Sequence, residues 1–148
     1  MISGIVRAAK PRVVSTFIVL SAAAIASVLA TSNREYGPNE YAVVDGGLSP
    51  DRKYSIAAHG GGELGYDNFH IYLMNAATGK KIGPLEEIRE TLDTGADAFY
   101  AKWSPNSTEV AIRYRIDRRE ALEVRYRIAN GRAYLIKGPS KSDGLRFD

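Results

Sequence analysis

The 148-residue sequence predicts an all-β fold on three observations. Apolar and charged side chains alternate every two residues along the second half. Turn signals separate those alternating runs. A Ser-Pro turn recurs 55 residues apart, at Ser49-Pro50 and Ser104-Pro105, each time before an apolar run. Alternation of period two puts one face of a strand on a core and the other in water, and short turns between such runs join antiparallel neighbours.

The clearest strand carries Val110, Ile112, Tyr114 and Ile116 on one face and Glu109, Ala111, Arg113 and Arg115 on the other. The next repeats it, with Leu122, Val124, Tyr126 and Ile128 set against Glu123, Arg125 and Arg127. Matching the two apolar faces across a short loop at Arg118 to Glu120 sets Ile116 opposite Leu122 and Glu123 opposite Arg115. Asn130-Gly131 then supplies the two positive φ values of a type I′ turn into a strand over 133–137. Three strands form a meander. The first half reads less cleanly, with strands over 41–45, 53–59 and 69–75 and a turn at Ala77-Thr78-Gly79. One short helix is expected after Pro84, because Leu85, Ile88 and Leu92 share a stripe while Glu86, Glu87, Arg89 and Glu90 stay wet, and Gly95 stops it.

Ahead of this body, residues 1–12 carry Arg7, Lys10 and Arg12 and no acid, residues 13–30 are uncharged, and the run ends in small side chains before Thr31-Ser32-Asn33-Arg34. Basic, apolar and small-residue zones in that order mark an export signal helix cleaved after Ala30, with Ala26 as the alternative. Eighteen uncharged residues also reach the lower limit for crossing ~30 Å of hydrocarbon, so the competing expectation is a retained membrane tether through residues 13–30. Either way the basic end stays cytoplasmic and the body lies outside, periplasmic or extracellular. Residues 31–39, with Gly37-Pro38, read as a linker, and residues 40–148 as a single domain. Without residues 1–30 the chain keeps 17 of its 20 basic residues against 17 acidic ones. A neutral body argues against a nucleic-acid partner. Cysteine is absent, so neither a disulfide nor a thiol-linked lipid holds the exported domain.

The Ser-Pro turns belong to a longer repeat. Ser49-Pro50-Asp51 before Tyr54-Ser55-Ile56-Ala57 returns as Trp103-Ser104-Pro105-Asn106 before Val110-Ala111-Ile112, and Ala77-Thr78-Gly79-Lys80 returns as Ala129-Asn130-Gly131-Arg132. Self-similarity at this period indicates two four-stranded units. The pattern over residues 40–138 resembles the blade repeat of TolB-like and other WD40-like β-propellers. Asn106-Ser107-Thr108 stands where such blades commonly read Asp-Gly-Lys, and the first copy lacks the Trp. Two blades cannot close a ring, so the expectation is a small sandwich of two blade-like sheets or an assembly of several chains. The resemblance implies a protein-binding or scaffolding role and supplies no catalytic residues.

Four groups of residues are candidate sites. Gly60 to Gly65 satisfies G-x-G-x-x-G, but Tyr66-Asp67-Asn68-Phe69 follows where a dinucleotide site needs a helix. His59-Gly60-Gly61-Gly62 is similar to an oxyanion loop, yet no G-x-S-x-G supplies a nucleophile. His59, Glu63, Asp67 and His70 combine two imidazoles with two carboxylates within twelve residues, the donor types of an open zinc site, and would serve a small metal-dependent hydrolase. Arg113, Arg115, Arg125 and Arg127 line one face of the long hairpin and would meet acidic partners or phospholipid headgroups, against the simpler reading of a solvated sheet face. The leading expectation is an exported, non-enzymatic β-domain without a cofactor that binds an envelope or extracellular protein, alone or as an oligomer.

Overall fold

A computed structural model describes residues 31–60 and 68–148. Eight strands follow in order: β1 Ala42–Leu48, β2 Tyr54–His59, β3 His70–Asn75, β4 Lys80–Pro84, β5 Tyr100–Trp103, β6 Glu109–Arg115, β7 Ala121–Ala129 and β8 Arg132–Lys141. They form one curled sheet in the order β4-β3-β2-β1-β5-β6-β7-β8. Each half is an antiparallel four-stranded meander, β1 to β4 and β5 to β8, and the fold is all-β. The halves do not stack as separate sheets. They join edge to edge through a parallel pairing of β1 with β5 at Asp45 and Tyr100.

The two Ser-Pro turns match bond for bond. The Ser49 amide donates to the Tyr54 carbonyl and its hydroxyl accepts from the Tyr54 amide, at 2.9 and 3.0 Å. Ser104 does the same with Glu109 at 2.8 and 3.0 Å. Each serine hydroxyl also donates to a side chain two residues on, Asp51 or Asn106, both at 2.7 Å. Arg52 and Ser107 take the positive φ that closes the turn, 59° and 60°. The Asp51 carboxyl is held below its ordinary range, first by the Lys53 amide and then by the Ser49 hydroxyl. The turns touch, since the Asp51 amide donates to Ser107 Oγ at 3.0 Å, and Trp103 Nε1 reaches the Gly47 carbonyl at 3.0 Å. Gly46 makes this seam close: its φ is +68°, and a Cβ there would lie 2.2 Å from the Ala101 carbonyl oxygen.

Superposing the turns pairs Leu48 with Trp103 and Ser55 with Val110, and the registers Ser55↔Met74 and Val110↔Tyr126 carry the match into the next strands. The buried faces are opposite. In the second unit Val110, Ile112, Val124 and Tyr126 enter the main core, whereas their counterparts Ser55, Ala57, Tyr72 and Met74 lie outside it. The first unit instead contributes Ile56, Ala58, Ile71 and Leu73 to the core. Burial lifts the phenol of Tyr114 to about 12 and raises that of Tyr126, which also donates to Glu87 Oε2 at 2.7 Å.

Two expectations are corrected here. The stripe Leu85, Ile88 and Leu92 does not form a helix. Pro84 closes β4, and the amides a helix would use go elsewhere: Leu92 donates to the Arg115 carbonyl, and Thr94 and Gly95 both donate to the Ser32 carbonyl, each at 2.8 Å. Glu90 sits at φ 52°, and among the described residues the one short helical element is a 3-10 turn at Ala96–Ala98. Leu85 and Ile88 still reach the core, as irregular chain. Residues 31–39 do not behave as a free linker. Ser32 and Arg34 bond to Asp93 and Thr94, and Tyr36 inserts into the core with its hydroxyl on the Thr94 carbonyl at 2.6 Å. Burial raises the Tyr36 phenol as well. Residues 1–30, with the Ala30 site and the export helix, lie outside the described residues.

Candidate functional site

The outer face of the second unit is a grid of cross-strand rows. Tyr100, Arg113, Glu123 and Ser140 form one row, Lys102, Ala111, Arg125 and Lys137 the next, and Glu109, Arg127 and Tyr134 a third. Glu123 is the hub. Its two carboxylate oxygens accept from Arg113 Nε and Arg125 Nε, both at 2.8 Å. Burial pushes the Glu123 carboxyl up, but the two arginine hydrogen bonds outweigh it and leave the group below its ordinary value. Arg127 pairs with Glu109 at 3.3 Å.

Three of the four expected arginines reach solvent on this face, and Arg115, at the end of β6, does not. It is buried, and its guanidinium grips both carboxylate oxygens of Asp93 at 2.9 Å. Asp93 Oδ1 also accepts from the Ser32 amide at 2.7 Å, so this pair ties the second unit to the chain that enters the domain. The hairpin register also differs by two residues. Arg113 opposes Glu123 and Tyr114 opposes Leu122, because the loop closes from Ile116 to Glu120. A shift of two preserves which face each side chain takes, so the apolar match survives while the ion pair moves from Arg115 to Arg113.

The middle row is the most basic of the three. Lys102, Arg125 and Lys137 put three cations across four strands around the small Ala111, with no acid in the row. Arg125 is 54% exposed at its side chain and spends one nitrogen on Glu123. The chain after β8 folds back to one end of the row. Phe147 lies under the Arg113 guanidinium, 4.1 Å from its ring centre, and Arg113 Nη1 donates to the Arg146 carbonyl at 2.7 Å. Arg146 in turn packs on Tyr100. Beside Phe147 a groove of about 390 Å³ remains, lined by Lys102, Trp103, Pro105, Arg113 and Arg125. Sequence reasoning missed Lys102 and Phe147. The parity of Tyr100 and Lys102 against Ala101 and Trp103 was the available signal, in a strand of only four residues.

The outer face of the first unit has a different chemistry. His59 and His70 are cross-strand partners. The His59 ring stacks on Tyr41 at 4.2 Å, and His70 meets Tyr72 edge-on at 5.9 Å. His59 Nδ1 lies 2.6 Å from the Glu40 carbonyl, a geometry that needs the proton on Nδ1 and leaves Nε2 as the basic nitrogen. Glu63 and Asp67 lie outside the described residues, as does most of the glycine loop. Among the described residues no three His, Cys, Asp or Glu side chains gather to hold a metal ion. Next to the histidines, Tyr41, Val43, Leu48 and Met74 border an apolar depression of about 260 Å³.

Among the described residues no helix is long and apolar enough to cross a membrane. No family model, curated protein or solved structure matches this chain.

Proposed function

We propose that this chain is an exported, non-enzymatic β-domain that binds another envelope or extracellular protein by docking an acidic segment onto the second unit. The observation that carries the reading is the row Lys102, Ala111, Arg125 and Lys137: three cations around a small residue, of which Arg125 also pairs with Glu123 in the neighbouring row. Complementary charge at a surface of this kind steers encounter and fixes the partner's register, and its contribution falls with salt. Trp103, Pro105 and Phe147 add an apolar wall to the groove, which suits a peptide better than a bare inorganic anion. Export rests on the order of zones in residues 1–30, and the blade-like resemblance supports a scaffolding role.

Titration with a fluorescently labelled acidic decapeptide tests the docking face. Saturable binding that weakens steadily from low to physiological salt is expected, with Arg125→Gln plus Lys137→Gln lowering affinity about tenfold or more. Binding that ignores both salt and the double substitution overturns it.

One observation favours a second reading, the metal-dependent hydrolase. His59 and His70 oppose each other across β2 and β3, and the Glu40 contact orients His59 as second-sphere partners orient metal ligands. Zinc retained stoichiometrically through purification and lost in His59→Ala plus His70→Ala would support it. Purification without bound metal, even after zinc addition, would remove it.

A further inference from the structure

The curled sheet ends in two edge strands, β4 and β8. They differ in length and in what they present. β4 has five residues and closes at Pro84, whereas β8 runs for ten and carries Tyr134, Leu135 and Ile136 in succession, 49%, 47% and 44% exposed. The backbone beside these side chains also faces outward. Ile128 spends its amide on the Thr108 carbonyl, on the β6 side, so its cross-strand partner Ala133 turns its own amide and carbonyl away from β7. The register is regular from Arg132 to Leu135, which turns the amide and carbonyl of Leu135 the same way. Ile136 is the extra residue where the register shifts between Leu135 and Lys137, and Pro139 beyond it has no amide to offer. The open ladder thus covers residues 133–137.

Charge decides what adds to it. β8 carries Arg132, Lys137 and Lys141, β4 carries Lys80 and Lys81, and neither strand holds an acid. A second copy, offering either edge, would set cations against cations, which is how edge lysines keep a sheet from pairing with itself. A strand of the opposite sign meets no such barrier. Arg132, Tyr134 and Lys137 share the outer face with Arg125 and Arg127 of β7. Ala133 and Leu135 take the core side, in line with Ile128 and Tyr126. We infer that an extended segment of the partner protein, alternating acidic and apolar residues, adds to β8 as a ninth strand. Its acids face Arg132 and Lys137, and its apolar residues cover Leu135. This rests on the acidic docking proposed above and gives it a geometry: main-chain hydrogen bonds to Ala133 and Leu135 hold the segment, and the cationic row, met at its Lys137 end, selects its charge and register.

A labelled decapeptide alternating glutamate and valine tests it on the purified protein, beside two versions N-methylated at every glutamate amide or at every valine amide. A strand bound along its edge uses alternate amides only, so one methylated version should lose about tenfold or more in affinity while the other binds as the unmodified peptide does. Leu135→Pro deletes an outward amide at a position where an edge strand tolerates proline, so it should weaken binding by about the same factor with an unchanged thermal midpoint. If that variant loses stability, the methylated pair on the unaltered protein reads the same hydrogen bonds. Two methylated versions that behave alike, or a folded Leu135→Pro that binds as the parent does, overturn strand addition and leave the acidic docking face to its own salt and Arg125→Gln plus Lys137→Gln tests. An unmodified peptide that does not bind overturns both.

Discussion

The two four-stranded units share a turn down to its hydrogen bonds and differ in which face they bury. The second unit separates its faces by chemistry, with Val110, Ile112, Tyr114, Val124 and Tyr126 inside and Lys102, Arg113, Glu123 and Arg125 outside. The first unit is apolar on both faces, and β2 and β3 each hold four consecutive buried residues. Local sequence fixes the turn, because a serine hydroxyl two residues before an Asp or Asn closes the same loop anywhere. The phase of the hydrophobic pattern after the turn then decides which face meets the core, and a shift of one residue inverts it.

The largest effect is expected where the units are tied to the connecting chain. Asp93→Ala removes a carboxylate that both guanidinium hydrogen bonds of the buried Arg115 and the Ser32 amide reach, so it should cost about 3–5 kcal/mol in denaturant unfolding. A loss under 1 kcal/mol would mean the second unit is stable without this tie. Next comes the seam. Gly46→Ala must leave a positive φ and move off the Ala101 carbonyl, which should cost about 2–4 kcal/mol. If the halves unfolded in two separate transitions in this variant, the units would be independent domains rather than one curled sheet.

The turns allow a sharper comparison. Ser49→Ala and Ser104→Ala remove equivalent hydroxyls, each worth about 1 kcal/mol. Ser49 is fully buried and Ser104 is not, so the first should lose more, and a reversed order would break the equivalence. Gly131→Val should cost about 1 kcal/mol from backbone strain alone, since its φ is +69° and no atom lies within 4 Å of an added Cβ.

The smallest effect separates the two outer faces by pH. The Glu123 carboxyl sits below its ordinary value of 4.5 in the folded state. Its ion pairs therefore stabilise fully above that value, and the gain disappears as pH falls through the folded pKa. Glu123→Gln should lower the thermal midpoint by a few degrees at pH 7 and by less near pH 3. An equal gap at both pH values would assign the effect to packing rather than charge.

How much could be read from the residues follows the same division. Strands β6 and β7 stood out because solvent lies on one side of them, which makes alternation visible. Strands β2 and β3 showed as apolar runs whose faces could not be told apart by periodicity. Strand β5 has four residues, too few for a pattern, and its Trp103 read as part of the turn. The Leu85, Ile88 and Leu92 stripe marked buried residues correctly and helical backbone wrongly, since the competing acceptors Ser32 and Arg115 are about 60 and 23 residues away and invisible locally. The arginine face was readable as parity, but the exception at Arg115 depended on Asp93, which no nearby signal connects to it.

The seam at Gly46 also sets an order in time. Within each unit the neighbouring strands are joined along a short stretch of chain, so their contacts close with little loss of chain entropy. The pairing of Asp45 with Tyr100 spans 55 residues and involves one bridge, so it has little to offer until both meanders exist. Refolding should then proceed as two fast local collapses followed by a slower docking, with substitutions at the seam accelerating unfolding and leaving the early phase unchanged. A nascent chain would thus expose an unjoined β1 edge for as long as β5 has yet to be made, and the glycine pair there, poor in strand propensity, keeps that waiting edge from recruiting the wrong neighbour.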